Sequence, residues 1–477
     1  MKKKTCLCFL SLAWFPLSAA SDEDLRVLVK ELSQQVKQLS SRVNQLEHRL
    51  AQEQGTDRQT TAENGSFPKP ASVTTAVTPA SSGDGGKEKK EAKPVTAGDV
   101  KGTFKIPGTD TSLAIGGYVK LDVSYNSVSA GPNNYADLLL IPSAIPVIDG
   151  PGEHSEVLFN ARESRLWLKS FTPTAWGDLG TYLEMDFYAF QVPGEDPVPG
   201  NKRSISGYSP RLRHAYGSLG NLLAGQTWST FMNVSAVPET NDHGGPVGQI
   251  FVRQPLIRWT QPFAVVGTPM EFQAALESPD STLTRADGSR SAPDDSRYPD
   301  AVVRLNYNPD WGNLSLAGLA RQIRIADNDQ HHDSAAWGGA LSLAGRIKLF
   351  ELDNIRFMFN YGNALGRYTS LNVFNDGSVD RRGNIALNSV YGGFLSYQHY
   401  WTPSWRSTLA YGFGQIDNPG FVAQSVSQQV QSVHVNLLWS PLLQTTIGLE
   451  YIYALRELED GRRGDLQRVQ FSTRFNF

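Results

Sequence analysis

Arg211 and Arg213 stand two residues apart, so in an extended strand both side chains leave the same face. Arg165 and Lys169 share a face in the same way, and further cations, Arg258, Arg304, Arg356, Arg406 and Arg474, fall in other segments with strand-like alternation. A guanidinium group grips carboxylates with two parallel hydrogen bonds and stays charged at every relevant pH. A ladder of such groups on a wet wall would favour anions carrying two carboxylates. Asp122, Glu184, Asp186 and Glu271 support the opposing reading, in which acids on the same wall neutralise the arginines and leave a balanced, weakly selective passage. Both readings require strands with one face on water.

The chain supplies such strands after residue 100. In 115–125, Ile115, Gly117, Val119, Leu121, Val123 and Tyr125 alternate with Gly116, Tyr118, Lys120, Asp122 and Ser124; in 469–477, Val469, Phe471, Thr473, Phe475 and Phe477 alternate with Gln470, Ser472, Arg474 and Asn476. One face suits lipid and the other suits water. Between these ends the pattern predicts strands near 157–171, 179–190, 210–219, 221–228, 254–261, 269–277, 300–308, 312–325, 335–350, 354–364, 388–400, 404–415, 428–440 and 444–456, sixteen in all; the periodicity of 157–171 and 388–400 is ambiguous. Short joints (172–178, 220, 262–268, 309–311, 351–353, 401–403, 441–443) alternate with long ones (126–156, 191–209, 229–253, 278–299, 326–334, 365–387, 416–427, 457–468). That is the signature of a bacterial outer-membrane barrel, with turns in the periplasm and loops outside. Aromatics near strand ends, among them Trp176, Trp259, Trp311, Trp401 and Trp439, suit the lipid–water boundary. No later apolar stretch is uninterrupted enough for a spanning helix, so strands must do the crossing. The expected fold is all-β: a transmembrane antiparallel β-barrel of sixteen strands over 100–477.

A barrel of that size encloses a water-filled bore, and a loop that narrows it would set its selectivity. The long, turn-rich segment 229–253, with Glu239, Asp242 and His243, is the candidate for that constriction; the alternative is an ordinary external loop. Enzyme signatures are lacking: there is no phosphate-cradling Gly-Lys-Ser/Thr loop, no His-Glu-x-x-His and no Gly-x-Ser-x-Gly. No cofactor is expected. Asp327 to Asp333 reads as a solvated loop in preference to a metal site. The formal net charge is −3, and from residue 100 onward about 35 acids meet about 30 bases, a balance that argues against nucleic acid as a partner.

The N-terminal part has three compositions. Residues 1–20 combine Lys2, Lys3 and Lys4 with an apolar run from Cys6 to Leu17 and the small residues Ser18, Ala19 and Ala20, the pattern of a signal peptide. Both cysteines, Cys6 and Cys8, fall inside it, so the exported chain would hold no disulfide. Residues 21–53 carry Leu25, Val29, Leu32, Val36, Leu39, Val43, Leu46 and Leu50 at heptad spacing, a periplasmic coiled coil whose strand number the pattern leaves open. Residues 54–99 have too little apolar surface to fold and read as a disordered linker. With an even strand count both barrel ends lie on the periplasmic side. A mainly structural role, the coiled coil tethering the barrel to cell wall or another envelope protein, is the alternative to transport.

Gly102 to Thr111, running into Gly116 to Asp122, resembles the start of the barrel in DcaP-like outer-membrane porins. So do Ser164 to Leu166, Glu184 to Phe187, Arg211 to Tyr216, Ala224 to Phe231, and Phe251 to Pro255. The match covers 102–255 in order; beyond it the likeness is that of a generic barrel. The resemblance implies a homotrimeric sixteen-stranded channel in the outer membrane of a Gram-negative bacterium, preceded by a periplasmic coiled coil and passing small anionic solutes such as dicarboxylates. It implies pore-lining roles for Arg165, Arg211, Arg213 and Arg253.

Overall fold

The computed structural model describes residues 96–129, 140–147, 154–189, 209–293, 295–327 and 332–477. The signal peptide, the coiled coil and nearly all of the linker read from the sequence lie outside these residues.

The barrel strands, in chain order, are β1 (Ser112–Asn126), β2 (Glu156–Asn160, resumed at Arg165–Thr174), β3 (Gly177–Asp186), β4 (Arg211–Leu219), β5 (Leu222–Trp228), β6 (Arg253–Val265), β7 (Thr268–Glu277) and β8 (Asp300–Tyr307). They continue as β9 (Gly312–Asp327), β10 (His332–Leu349), β11 (Asp353–Asn363), β12 (Ser389–Tyr400), β13 (Trp405–Asp417), β14 (Ser427–Leu442), β15 (Thr445–Leu458) and β16 (Arg463–Asn476). Each pairs antiparallel with its chain neighbours, and β16 returns to β1, with Tyr118 opposite Asn476 and Asn126 opposite Arg468. The sheet is therefore a closed sixteen-stranded antiparallel barrel.

Closure follows from the alternation. Ile115, Val119, Leu121 and Tyr125 are exposed on the outer face, whereas Lys120, Asp122, Ser124 and Asn126 are buried on the inner one. The seam is finished by the last residue: Gly117 and Phe477 exchange backbone hydrogen bonds of 3.2 and 3.1 Å. Gly117 is needed there because a Cβ would sit 2.1 Å from the Arg165 carbonyl oxygen.

Both ambiguous segments have physical explanations. In β2, Asn160 stands opposite inward Asp122, but after the break at 161–164 Arg165 stands opposite inward Tyr118. The inward phase thus passes from even to odd positions, which no single period of two can describe. In β12 the alternation persists, but inward Val390 and Phe394 are apolar because they pack on loops. The bulge between Glu184 and Met185 similarly moves the inward face of β4 from Arg211 and Arg213 to His214 and Tyr216.

Two further expectations need correcting. The segments read as long loops at 326–334 and 457–468 shrink because their flanking strands run on, β15 ending at Leu458 and β16 starting at Arg463. Nor is the interior water throughout. Phe231, Met232, Val247 and Ile250 of the segment after β5, with Leu365, Tyr368 and Phe374 of the segment after β11, form an apolar core against inward Met358, Val390, Phe394, Ile416 and Val430. At the loop end, Leu283–Arg285, Arg290–Ser291, Gly377–Val379 and Ile385–Leu387 form a separate small sheet. It is fastened to the barrel by buried Arg321, which bonds Asp300 and Asp376.

Gly117→Val should deny Phe477 its place at the seam. A clash of this kind costs roughly 1–3 kcal/mol, and the expected outcome is a reduced compact, heat-modifiable band on electrophoresis. An unchanged band would show that the seam tolerates a side chain.

Candidate functional site

The segment 229–252, which joins β5 to β6, lies inside the barrel and follows the inner wall strand by strand. The Thr230 amide donates to Glu277 of β7 at 2.7 Å. Arg304 of β8 donates to the Met232 carbonyl. The Asn233 side-chain amide reaches Ser315 and Asn313 of β9 at 2.7 and 2.8 Å, and Arg356 of β11 donates to the Val237 carbonyl. Glu239 then receives Gln398 of β12 at 2.6 Å and both Nε and Nη2 of Arg406 of β13, at 2.7 and 2.5 Å. Asn436 of β14 donates to the Glu239 carbonyl at 2.9 Å, and the Asn241 amide donates to Glu450 of β15 at 2.6 Å. Lys120 of β1 and Gln470 of β16 both donate to the Asn241 carbonyl, at 2.9 and 3.0 Å. On the way back the Val247 amide donates to Ser432 at 3.1 Å, and Asn360 donates to the Gly248 carbonyl at 2.8 Å. Gly248 has a φ of +80° and passes so close to the wall that a Cβ would lie 2.1 Å from the Phe413 carbonyl.

The tip of the segment is held by charge. Asp242 accepts from the Leu140, Gly244 and Gly245 amides at 3.2, 2.9 and 3.1 Å and from Arg468 at 3.3 Å. His243 stacks on Tyr188 with ring centres 5.1 Å apart, and its Nδ1 lies 3.6 Å from the Glu163 carboxylate, which also pairs with Lys120. Burial pushes the His243 imidazole down to about 4, against the pull of Glu163, so the ring is neutral at pH 7. Burial alone would push the Glu239 carboxyl up, but the Arg406 bonds outweigh it and hold the group below its ordinary range.

The cations foreseen in the sequence divide into three kinds. Some meet acids: Arg211 bonds Asp186 through Nε and Nη2 at 2.9 and 2.6 Å, and Arg213 reaches Glu184 at 2.6 Å and Asp186 at 2.9 Å. Arg165 lies 3.5 Å from Glu184 and over the Tyr118 ring. A second kind secures the inner segment: Arg304, Arg356 and Arg406. The third has no ion pair among the described residues. Arg253 stacks 4.4 Å over Trp228 and keeps a buried Nη1 without a partner. Arg258 and Arg474 each keep a buried Nε without a hydrogen bond, and Lys169 is exposed on the inner face of β2 opposite Tyr182.

Sequence reasoning missed Arg346, which stands directly opposite Arg356 across β10 and β11 and likewise keeps a buried Nε unbonded. Like charges facing each other are unfavourable unless something anionic or solvating lies between them. It also missed the anchors Glu450, Arg468 and Asn436. The inward phase of β15 and β14 contains Glu450 and Asn436, so alternation could have found them; Arg468 escaped because β16 begins at Arg463, earlier than its clearest alternation. No group of three or more His, Cys, Asp or Glu side chains able to hold a metal occurs among the described residues.

A family model described as the DcaP outer membrane protein matches residues 94–477. A search of curated protein sequences found no match. Among solved structures, the outer membrane channel DcaP of Acinetobacter baumannii is similar at a TM-score of 0.65 and 22% identity, covering 80% of this chain and 100% of the other. OmpT of Vibrio cholerae reaches a TM-score of 0.48 at 8% identity (78% and 99% covered), and an anion-selective porin from Comamonas acidovorans 0.46 at 14% (77% and 100%). At these identities the likeness is one of fold.

The state of His243 yields a pH prediction. Its folded value is depressed from 6.5 to about 4, so between those limits the unfolded chain binds more protons and stability falls as the medium is acidified. The contribution is whole above pH 6.5 and is lost as pH drops through 4, at most about 3 kcal/mol at 1.36 kcal/mol per pKa unit. Unfolding in detergent at a series of pH values should show this slope, and His243→Gln should make it shallower. An equal slope in the variant would place the acid sensitivity elsewhere.

Proposed function

The chain belongs to the DcaP outer membrane protein family, and from that premise we propose that its barrel is a diffusion pore for small hydrophilic solutes that favours anions, dicarboxylates among them. The observation that carries the preference is the asymmetry of pairing on the inner wall. The inward acids Asp122, Glu163, Glu184, Asp186, Glu239, Asp242 and Glu450 each have a cationic group or a histidine within 4 Å. Arg258, Arg304, Arg346, Arg356 and Arg474 have no ion pair among the described residues, while Glu277 and Glu271, which have no cationic partner within 4 Å there either, are the counterweights near Arg258 and Arg304. Fixed positive charge in a low-dielectric bore concentrates anions and repels cations.

In this reading the segment 229–252 narrows the bore, with Glu239, Asp242 and His243 holding its far side to the wall. Arg165, Lys169 and Arg258 are wall groups that a passing carboxylate meets. Arg211 and Arg213 contribute less, because Glu184 and Asp186 already occupy them. Arg304 secures the segment and offers its remaining nitrogens to the bore; Arg253 keeps its charge on the face of Trp228. The functional unit is a homotrimer in contact with membrane lipid, delivered by the signal peptide at 1–20 and carrying its coiled coil, 21–53, in the periplasm on the linker 54–99. The trimer rests on the family resemblance, and the signal peptide, coiled coil and linker rest on the sequence pattern.

Zero-current potentials across planar bilayers with a KCl gradient test the proposal. The native protein should prefer chloride, succinate should carry or interrupt current, and Arg346→Ala and Arg474→Ala should each lower the anion-to-cation ratio about twofold without loss of folded protein. A cation-preferring native channel would overturn the reading.

The segment 229–252 also depends on the Glu239–Arg406 pair for its hold on the wall. Arg406→Ala removes the charged partner of a half-buried carboxylate, a loss of about 1.5–3 kcal/mol for a hydrogen bond to a charged group, and should loosen Glu239. Single-channel conductance should rise and become noisier. An unaltered trace would mean that the other anchors fix the segment unaided.

A further inference from the structure

Several arginines at the loop end of the barrel are matched to acids, while Arg285, Arg381 and Arg382 are exposed and belong to no ion pair among the described residues. Arg321 bonds Asp300 and Asp376, Arg324 bonds Asp333, Arg367 bonds Asp280, Arg462 bonds Asp460 and Arg463 bonds Glu457. Arg290 and Arg456 stand apart. Arg290 gives one bond, from Nη2 to the Asn372 carbonyl at 2.6 Å. Arg456, inward on β15, gives two, from Nε to Ser427 at 2.9 Å and from Nη1 to the Ile145 carbonyl at 3.0 Å. Neither has a carboxylate within ion-pair distance among the described residues, and each keeps donor nitrogens unspent.

These two guanidinium groups line one cavity of about 290 Å³, walled by the ends of β13 to β15 and by the segments after β7 and β11. Thr284, Asn375 and Ser425 add small polar groups to its lining. Asn375 donates to Thr284 at 2.7 Å and keeps a buried Oδ1 without a partner. Of the acids nearby, Asp376 is paired with Arg321, whereas Glu459 is held by Asn418 and Gln428 and Asp287, on the lining, by the Ser289 amide and hydroxyl, neutral donors that leave both carboxylates charged.

We propose that this cavity is a second anion site, on the loop side of the barrel, that binds a small carboxylate-bearing solute between Arg290 and Arg456. Two guanidinium groups from different segments suit two carboxylates, or both oxygens of one, and the polar lining accommodates the remaining atoms. The placement makes it a capture point on the outward-facing side, distinct from the unpaired arginines of the inner wall, and it stands or falls independently of the pore preference proposed above.

The test titrates succinate into the detergent-solubilised full-length protein and follows it by calorimetry. Arg290→Ala and Arg456→Ala should each weaken binding about tenfold, the loss expected when one charge-assisted contact is removed. Arg346→Ala, on the inner wall, should leave this binding intact. Asp287→Asn, which changes a group on the lining without touching either arginine's bonds, should tighten binding. Unchanged affinity in both arginine variants would overturn the site, as would equal loss in Arg346→Ala. A native channel that prefers cations yet loses succinate binding with Arg290→Ala would refute the pore reading and leave the outer site standing.

Discussion

Hydrocarbon offers no hydrogen bonds, so each strand of a membrane barrel must have a partner on both edges. Everything else in this chain depends on that requirement being met at a single seam, where Gly117 and Phe477 bond each other and β16 closes on β1. The alternating exterior, the small residues at 116 and 117 and the position of the last aromatic are one solution to one problem. A closed ring of this circumference creates a second problem, an interior too wide for wall side chains to fill. The chain answers with the segment after β5, which brings its own apolar residues and is bonded to nearly every strand from β7 round to β1.

That segment changes what the inward charges mean. In the sequence they read as a ladder waiting for solute. In the structure Arg304, Arg356 and Arg406 hold the segment, and Arg211 and Arg213 meet Glu184 and Asp186. On the proposed reading, solute is left to the groups with donors in hand, and selectivity is a difference between two populations of arginine that share a face and a residue type.

The barrel itself was legible in the sequence because its cause is local. A dyad repeat such as 115–125 is enforced residue by residue by lipid on one side and water on the other, and joint lengths followed from strand ends marked by Gly, Pro and Asp. What escaped has a longer range. The phase shifts at 161–164 and at Glu184 depend on neighbouring strands, and the apolar inward face of β12 depends on loops distant in sequence. Arg346 was as visible as Arg356, but its isolation from acids is a property of three dimensions. The location of 229–253 could be suspected from its turn-rich run; which inward residues it bonds could not.

The order of those anchors along the chain has a consequence for assembly. Glu239 is joined to Arg406 and Asn241 to Glu450, separations of 167 and 209 residues. Such contacts cost loop-closure entropy that nothing repays until the distant strands are in place. The last hairpin, β15 with β16, supplies Glu450, Arg468 and Gln470, so the segment has no complete seat until the cylinder is nearly finished. The segment is therefore seated late in assembly, and a chain cut short before β15 would be left with an unfastened tongue inside the unfinished cylinder.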